Sequence, residues 1–424
     1  MPVVTLPLGG RILSGATIGP GPGATMPGVS PATPTEPPLV AGGYRLSEEQ
    51  VLLRDAVRTL ATERIAPRAA DIDRTGEFPW DVKELLASHD ILALPFPAEY
   101  GGLGSDLLTV CLAIEEISRV CATSGLILAV QELGALPILL GGSVEQQARW
   151  FPGLASGKRL IAFALTEAEA GSDVGAARTR AVRDGDDYVI DGSKRFISHG
   201  SVADLVVVFA VTDPKARKSR RLSAFVVESS SPGFSVERIE HKMGMRGSPT
   251  AELAFAGLRV SATNRLGEEG DGFGLALRTL DRSRPGIAAQ AVGIAQGALD
   301  VATRYARERT QFGSPIGDLQ MVGAMLADMA AGTEAARQLL YKACTEIEAG
   351  APDASRWAAM CKLVAGDTAM RVTTDAVQVL GGYGYIDEYP VERMMRDAKL
   401  TQLYEGTQQI QRLVIARSLV GRDH

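Results

Sequence analysis

The sequence is poor in the residues that build disulfide frameworks and metal sites. Its 424 residues include only four cysteines and four histidines. The cysteines form no C-x-x-C pair, and no histidine lies at metal-ligand spacing from any of them. We therefore expect no metal site and four buried thiols in a reducing compartment, at Cys111, Cys121, Cys344 and Cys361.

Long apolar runs and an excess of positive charge are also missing. No uninterrupted run of 18 or more apolar residues is present, so no transmembrane helix is expected. The chain carries 44 basic and 50 acidic residues, a formal net charge of −6, which argues against nucleic acid as the main partner. Apolar residues make up 46% and charged residues 22%, as in an ordinary globular enzyme with more than one domain or layer.

Residues 1–45 form a separate zone with almost no charge. The run Gly19-Pro20-Gly21-Pro22-Gly23 is incompatible with a helix or a strand. We expect a disordered or surface arm, with docking of its few apolar residues on a neighbouring subunit as the alternative. The zone lacks the basic amphipathic pattern of a transit peptide and the apolar block of a secretory signal. A cytoplasmic location is therefore expected.

The rest of the chain changes its hydrophobic period twice. Helical spacing predominates in residues 46–159, strand-like runs in 160–274, and long helical runs in 275–424. The predicted fold class is α+β, with three domains at these limits. They are an N-terminal helical domain, a central antiparallel sheet or barrel-like domain, and a C-terminal four-helix bundle.

Two local signals sharpen this outline. Ser47, followed three residues later by Gln50, predicts a capping box at the start of the first helix. Asp191-Gly192 predicts a hairpin turn between two short strands in the central region.

The most informative motif lies near the end, at Tyr404-Glu405-Gly406-Thr407. Gly406 permits a positive φ, and Thr407 is placed to cap the last helix. A carboxylate on a short link between rigid elements, in a partly apolar setting, suits proton abstraction. Taken alone, the motif more often marks an ordinary surface glutamate in an interhelical loop.

Three further motifs favour the catalytic interpretation. They are ALTEAEAGSD at 164–173, RTQFG at 309–313 and QVLGG at 378–382. In this order, together with the Glu405 motif, they resemble the acyl-CoA dehydrogenase family from about Leu46 to the C-terminus. The resemblance implies that family's fold and the oxidation of a saturated acyl-CoA to the trans-2-enoyl-CoA. It also implies electron transfer to an electron-transferring flavoprotein and a homotetramer.

Such a reaction requires a redox cofactor, because no side chain accepts a hydride. The chain has no convincing strand–GxGxxG–helix unit, since Gly270–Gly274 has the wrong spacing. A nicotinamide cofactor is therefore disfavoured, and the family binds FAD without that fingerprint.

The resemblance also assigns site residues. Those on the flavin would be Phe163, Ala164, Leu165, Thr166, Gly171, Ser172, Phe196, Ile197 and Ser198. Many relatives have Trp at the position of Phe196. Those on the FAD pyrophosphate and adenylate portion, across a subunit boundary, would be Arg309, Gln311, Gln320, Gln378, Val379, Leu380, Gly381, Gly382, Thr407 and Gln409. Those on the substrate would be Ser172, Asp281, Arg284 and Gly406.

Glu405 is the catalytic base by resemblance. Some relatives carry the base immediately before the residue that matches Arg284, but that residue here is Ser283, which cannot serve. An acyl-CoA oxidase, a flavin monooxygenase or a catalytically silent scaffold on the same fold are the alternatives. The segment 125–133 and the residues around Tyr383 and Tyr385 are expected to set the depth of the acyl pocket, but they do not give the acyl chain length.

Overall fold

The computed structural model describes residues 45–421. The predicted arm, except for Arg45, and the last three residues lie outside this range. The first region is helical, as predicted, with helices at Glu48–Leu60 (α1), Ala69–Thr75 (α2), Trp80–Ser88 (α3), Leu107–Ser118 (α4), Ala122–Gly141 (α5) and Val144–Ala155 (α6). The capping box is confirmed: Ser47 Oγ accepts from the Gln50 backbone amide, and the Gln50 side chain accepts from the Ser47 amide.

Helices α4 and α5 form the interior of this region because both are apolar around most of their circumference. By length and composition α5 could cross a membrane, but 78% of its most apolar stretch is buried within the protein. The same burial is found in core helices of ordinary folded domains. All four cysteines are buried and free, as expected.

The middle of the chain forms an eight-stranded sheet. Its strands are Ile161–Ala164 (β1), Arg180–Asp184 (β2), Asp187–Ser198 (β3), Leu205–Val211 (β4), Leu222–Glu228 (β5), Phe234–Ile239 (β6), Thr250–Ser261 (β7) and Arg265–Leu266 (β8). Their order across the sheet is β6-β7-β3-β2-β4-β5-β8, with β1 added beside β4.

The prediction of an antiparallel central sheet holds for most of its strand pairs, but two pairs are parallel. Strand β1 pairs with β4 in parallel, with Phe163 opposite Val207, and β2 meets β4 in parallel at Arg180 and Val211. Parallel neighbours need a long crossover connection, and the β2–β3 hairpin lies in the connection between β1 and β4. The sheet is therefore mixed.

The predicted hairpin turn at Asp191-Gly192 is wrong, because both residues lie inside β3. Gly192 has φ 142° and sits at a shift in the pairing of β3 with β7. A Cβ at Gly192 would come within 2.7 Å of Thr179 Cα. The glycine thus serves a bulge and a close backbone approach. The turn that joins β2 to β3 lies seven residues earlier, at Gly185.

The last region is a bundle dominated by three long helices. Its elements are Gly272–Glu308 (α7), Gln320–Glu348 (α8), Ala354–Leu380 (α9), Val391–Thr401 (α10) and Gln408–Val420 (α11), with the short strands Thr310–Gln311 (β9) and Ser314–Pro315 (β10) after α7. Helices α7, α8 and α9 pack against one another, and α10 and α11 pack on α9. Helix α7 also packs on α4 and α5 and so joins the bundle to the first region.

The packing of α7 on α4 depends on two glycines spaced four residues apart. A Cβ at Gly293 would come within 2.3 Å of the Glu115 carbonyl oxygen, and one at Gly297 within 2.0 Å of the Arg119 carbonyl oxygen. Only glycine allows so close an approach of two backbones. This contact helps fix α7, which carries Ser283 and Arg284, relative to the first region.

Candidate active site

The turn between α10 and α11 carries the predicted base. Both central residues have a positive φ, 51° at Glu405 and 91° at Gly406, and Thr407 Oγ1 accepts from the Ile410 amide at the start of α11. The predicted positive φ at Gly406 and the predicted helix cap at Thr407 are therefore confirmed. A positive φ at a glutamate is uncommon and persists only where neighbouring contacts impose it. We call Glu405 and Gly406 the base turn.

Helix α7 supplies the contacts to Glu405. Ser283 Oγ donates to Glu405 Oε2 at 2.6 Å, and Arg284 Nε donates to the Glu405 carbonyl oxygen at 3.3 Å. Arg284 is 4% exposed, and its Nη1 pairs with Asp281 Oδ1 at 2.6 Å. The predicted substrate residues Asp281 and Arg284 therefore lie next to the base turn and are already paired with each other.

Helices α9 and α11 supply the contacts to Gly406. Lys362 Nζ donates to the Gly406 carbonyl oxygen at 2.7 Å and to Gln408 Oε1 at 3.2 Å. Gln411 Nε2 donates to the same Gly406 oxygen at 2.9 Å. The base turn is thus held by side chains from three helices.

Burial and the neighbouring charges determine the pKa of Glu405. Burial of its carboxylate raises the pKa of Glu405 to about 7, and the Ser283 hydrogen bond and the charges of Arg284 and Lys362 oppose this rise. Burial lowers the pKa of Lys362 to about 8. A carboxyl group that titrates near neutrality suits general base catalysis at neutral pH.

Sequence reasoning missed several residues of this site. Ser283 was set aside because it cannot act as a base, yet it binds the base directly. Lys362 is fully buried within an apolar stretch of α9. Lysine is rarely buried unless it is paired, so its position among apolar residues was the signal that could have identified it. Gln411 gave no comparable signal.

The first predicted flavin segment lies at the end of β1. Phe163 packs on Phe209, with ring centroids 4.9 Å apart, and Ala164 and Leu165 are buried. The Thr166 carbonyl oxygen accepts from the Arg195 backbone amide at 2.9 Å.

A buried ion pair braces this segment against β3. Lys194 Nζ donates to the Leu165 carbonyl oxygen at 2.9 Å and to Glu167 Oε1 at 2.8 Å. The structure therefore brings the segment at 163–166 beside the second predicted flavin segment at 196–198. Phe196 in that segment has φ 59° and is 57% exposed, so its ring is available to a ligand.

Six of the residues predicted to hold the adenylate half of FAD line one cavity of about 520 Å³: Arg309, Gln311, Val379, Leu380, Gly381 and Gly382. The guanidinium of Arg309 lies 5.5 Å from the centroid of the Tyr383 ring. In the part of the chain that the structure describes, a Cβ at either Gly381 or Gly382 would meet nothing within 4 Å. A cation beside open, glycine-rich backbone fits a diphosphate, so these residues fit the cofactor.

The remaining predicted cofactor residues do not line this cavity. Gly171, Ser172, Gln320, Gln378 and Gln409 are exposed. Ile197 is buried and Ser198 is partly buried in β3. Within residues 45–421, no group of three or more His, Cys, Asp or Glu side chains could hold a metal ion.

Comparisons with known proteins agree with this geometry. Family models for the acyl-CoA dehydrogenase N-terminal, middle and C-terminal domains match residues 47–158, 162–258 and 270–420. A cyclohex-1-ene-1-carbonyl-CoA dehydrogenase of Geobacter metallireducens is 52% identical over 88% of this chain and 99% of its own length.

Two solved structures are also similar. The butyryl-CoA dehydrogenase of Megasphaera elsdenii has a TM-score of 0.86 and 41% identity over 89% of this chain and all of its own. A chain from work on the electron transferring flavoprotein of Acidaminococcus fermentans has a TM-score of 0.88 and 45% identity over 90% of this chain and all of its own. The chain belongs to the acyl-CoA dehydrogenase family and is an FAD-dependent oxidoreductase.

Proposed function

We propose that this chain oxidises a saturated acyl-CoA to the trans-2-enoyl-CoA, with Glu405 as the base that removes the α-proton. The observation that carries this proposal is the base turn. Its carboxylate is partly buried, has a pKa of about 7 and is held by Ser283. Such a carboxylate is deprotonated in a useful fraction of molecules at neutral pH and still binds a proton well.

Gly406 and the side chains that hold the base turn support this chemistry. Ser283 donates to the charged form of Glu405 and so orients it, and Arg284 and Asp281 fix the backbone carbonyl beside it. Gly406 adds no side chain next to the base and so leaves room there for the thioester. Entry of the acyl chain expels water from around the carboxylate, which raises its proton affinity further.

FAD would be held by the two groups of residues described above. The segments at 163–166 and 196–198, with Gly171 and Ser172, would contact the flavin. The cavity at Arg309, Gln311 and 379–382, with Gln320, Gln378, Thr407 and Gln409, would hold the pyrophosphate and adenylate of FAD across a subunit boundary. When bound, the flavin supplies the hydride acceptor that no side chain provides.

The partners follow from the same proposal. We infer acyl-CoA as substrate and an electron-transferring flavoprotein as acceptor, an inference supported by the likeness to the chain from Acidaminococcus fermentans. We also infer a homotetramer, because the adenylate cavity would serve a neighbouring subunit, and a cytoplasmic location. The three-domain division at 46–159, 160–274 and 275–424 is supported by the limits of the matched family models.

The test is to mix the purified holoenzyme with a panel of acyl-CoA thioesters and to monitor the loss of flavin absorbance (bleaching) by stopped flow. The panel contains straight, branched and six-membered-ring acyl groups, since one relative is named for a ring thioester. Glu405→Gln is expected to keep flavin and fold and to lose at least about 100-fold in bleaching rate. A rate within about tenfold of wild type would overturn the assignment. Bleaching that persists in air favours a dehydrogenase over an oxidase.

A further inference from the structure

Three lysines are buried in the part of the chain that the structure describes, and Lys362 on α9 differs from the other two. Lys83 Nζ lies 2.8 Å from a Glu84 oxygen, and Lys194 Nζ lies 2.8 Å from a Glu167 oxygen. Lys362 is fully buried, and no carboxylate oxygen of the described residues lies within 4.0 Å of its Nζ. Burying an ammonium group without a carboxylate partner costs free energy. Fold stability therefore does not explain this lysine.

The ammonium group of Lys362 contacts the base turn. Its Nζ donates to the Gly406 carbonyl oxygen at 2.7 Å and to Gln408 Oε1 at 3.2 Å. The Gln408 side chain is itself fixed, because its Nε2 donates to the Leu363 carbonyl oxygen and to Asp367 Oδ1. Lys362 is thus held against the turn that carries the base by two hydrogen bonds, both to neutral acceptors.

The other charged groups around this ammonium have partners of their own. Arg284 on α7 pairs with Asp281 at 2.6 Å, and Asp367 on α9 pairs with Arg412 at 2.9 Å. Each of these two ion pairs is neutral overall. They leave the buried ammonium as the charge that offsets the carboxylate of Glu405.

Three further titratable groups lie around the two charges and are mainly uncharged at neutral pH. Burial raises the pKa of the Cys361 thiol and of the Tyr404 hydroxyl well above their usual ranges. Burial, with the charge of Glu405, raises the pKa of Glu132 on α5 to about 8. Lys362 and Glu405 therefore form the charge pair of this site, although they share no direct contact.

We propose that Lys362 is a positioning residue of the oxidation, whose ammonium group is the counter-ion of the Glu405 carboxylate and acts on it through the base turn. This inference rests on the proposed function, because it concerns the same base and the same acyl substrate. Lys362 contacts the backbone of the turn and not the carboxylate, so it takes no proton from the substrate itself.

Two effects on the base follow from this arrangement. The positive charge favours the carboxylate form of Glu405 and opposes the rise in its pKa that burial causes. The hydrogen bond to the Gly406 oxygen, together with that from Gln411 Nε2, holds a turn in which two consecutive residues have a positive φ. Entry of the acyl group expels water and reduces screening, so the attraction between the two charges is stronger in the complex.

Lys362→Met tests the role of the charge. Methionine has a similar length, and replacing a buried charge with an apolar side chain of similar volume is often tolerated. The holoenzyme is mixed with a saturating amount of the straight, branched or six-membered-ring acyl-CoA that bleaches wild type fastest, and single-turnover bleaching is measured from about pH 6 to about pH 9. The apparent pKa of this profile should rise by at least about half a unit at unchanged flavin content. Bleaching should be slower than wild type near pH 7 and should recover at higher pH.

Lys362→Arg keeps the charge and the donors and should return the profile at least halfway to that of wild type. Lys399→Met is the matched control, because it makes the same change at an exposed lysine of α10 that donates to Gln402 Oε1. An exposed charge is screened by solvent and salt, so the profile of this control should match wild type. A Lys362→Met profile with the apparent pKa of wild type, whether at full rate or uniformly slower, would overturn the proposal.

A second measurement needs no substrate. Urea unfolding of the holoenzyme is measured for wild type, Lys362→Met, Glu405→Gln and the double variant, at a pH between the pKa values of about 7 for Glu405 and about 8 for Lys362. If the two charges attract, Lys362→Met should be more destabilising with Glu405 present than in the Glu405→Gln background. The difference should be at least about threefold in the ratio of folded to unfolded protein. Equal effects in the two backgrounds would overturn the counter-ion assignment.

Together the two measurements distinguish failure of this inference from failure of the proposed function. If Glu405→Gln bleaches the flavin within about tenfold of wild type, Glu405 is not the base and the proposed function fails, whatever the unfolding data show. If Glu405→Gln loses bleaching but the unfolding data show no coupling, the base assignment stands and the role of Lys362 is overturned.

Discussion

Ser283 Oγ donates a hydrogen bond of 2.6 Å to Glu405 Oε2, although 122 residues separate the two in sequence. The hydroxyl stabilises the charged form of the carboxylate and lowers the pKa of Glu405 against the rise caused by burial. Ser283 cannot act as a base itself, but it therefore shifts the pH range in which Glu405 is deprotonated.

Ser283→Ala should shift the pH profile of flavin reduction upwards. Loss of one hydrogen bond to a charged group is worth about 1.5–3 kcal/mol, or about one to two units in the apparent pKa. Single-turnover bleaching should be slower than wild type near pH 7 and should recover at higher pH. Thr279→Val is the control, because the Thr279 hydroxyl lies one turn earlier on α7 and has no hydrogen-bond partner among residues 45–421. An unchanged profile in Ser283→Ala would show that the hydrogen bond does not tune the base.

Gly406→Ala should disrupt the base turn. Its φ is 91°, and an added Cβ would lie 2.7 Å from Gln411 Nε2, which holds the turn. We expect a loss of about 1–3 kcal/mol in unfolding free energy from the backbone strain and the displaced hydrogen bond, with a large loss of bleaching rate. The measurements are urea unfolding and stopped flow.

Gly421→Ala serves as its control. Gly421 also has a positive φ, 65°, but no atom of the described residues 45–421 lies within 4 Å of the added Cβ. This variant should show backbone strain alone, at full bleaching rate. Equal effects at the two glycines would show that the contact with Gln411 is unimportant.

Arg309→Ala should weaken retention of FAD. Arg309 is exposed beside Gly381 and Gly382 in the adenylate cavity, and loss of one charged hydrogen-bonding partner costs about 1.5–3 kcal/mol. Flavin content after gel filtration should fall, together with the oligomer mass if FAD spans two subunits. Arg307→Ala, an exposed arginine at the end of the same helix, should leave both unchanged. Full flavin occupancy in Arg309→Ala would remove this residue from the cofactor site.

Local chemistry explains what the sequence could predict. Gly406 and Thr407 were identified because a positive φ and a helix cap depend on the residue itself and its immediate neighbours. Ser283 and Lys362 were not, because they meet the base turn only through packing of α7 and α9 against it. The cofactor residues came from the family resemblance, and six of them do line one cavity.

The sheet shows where local signals fail. Asp191-Gly192 has the strongest short-range hairpin chemistry, but pairing of β3 with β7 on one side and β2 on the other extends the strand through it. Strand β7 contains alanines, which have low strand propensity. Its pairing with β3 and β6 forms it nonetheless.

A buried carboxylate outside the candidate site links α10 to the loop before β7. Asp397 is 3% exposed and its Oδ1 accepts from the Met245 backbone amide. Burial raises the pKa of Asp397 from 3.8 to about 7, against the Met245 hydrogen bond and the charge of Arg393. Between these two pH values the folded protein holds a proton that the unfolded chain has released. The contribution of Asp397 to stability therefore falls as the pH rises through this window.

Asp397→Asn should remove that part of the pH dependence. Asn keeps an oxygen that accepts from the Met245 amide, but it has no proton to lose. The variant should match wild type near pH 4 and become progressively more stable than wild type up to about pH 7, by at most about 4 kcal/mol at 1.36 kcal/mol per unit. Urea unfolding across this range is the measurement.

Asp387→Asn, which makes the same change in the exposed loop before α10, is the matched control. Glu405 and Glu132 contribute a slope of the same sign, and His199, whose pKa burial lowers to about 3, contributes one of the opposite sign. The difference between the variant and wild type isolates the part that belongs to Asp397. Parallel curves for wild type and Asp397→Asn would show that Asp397 keeps its charge in the folded protein.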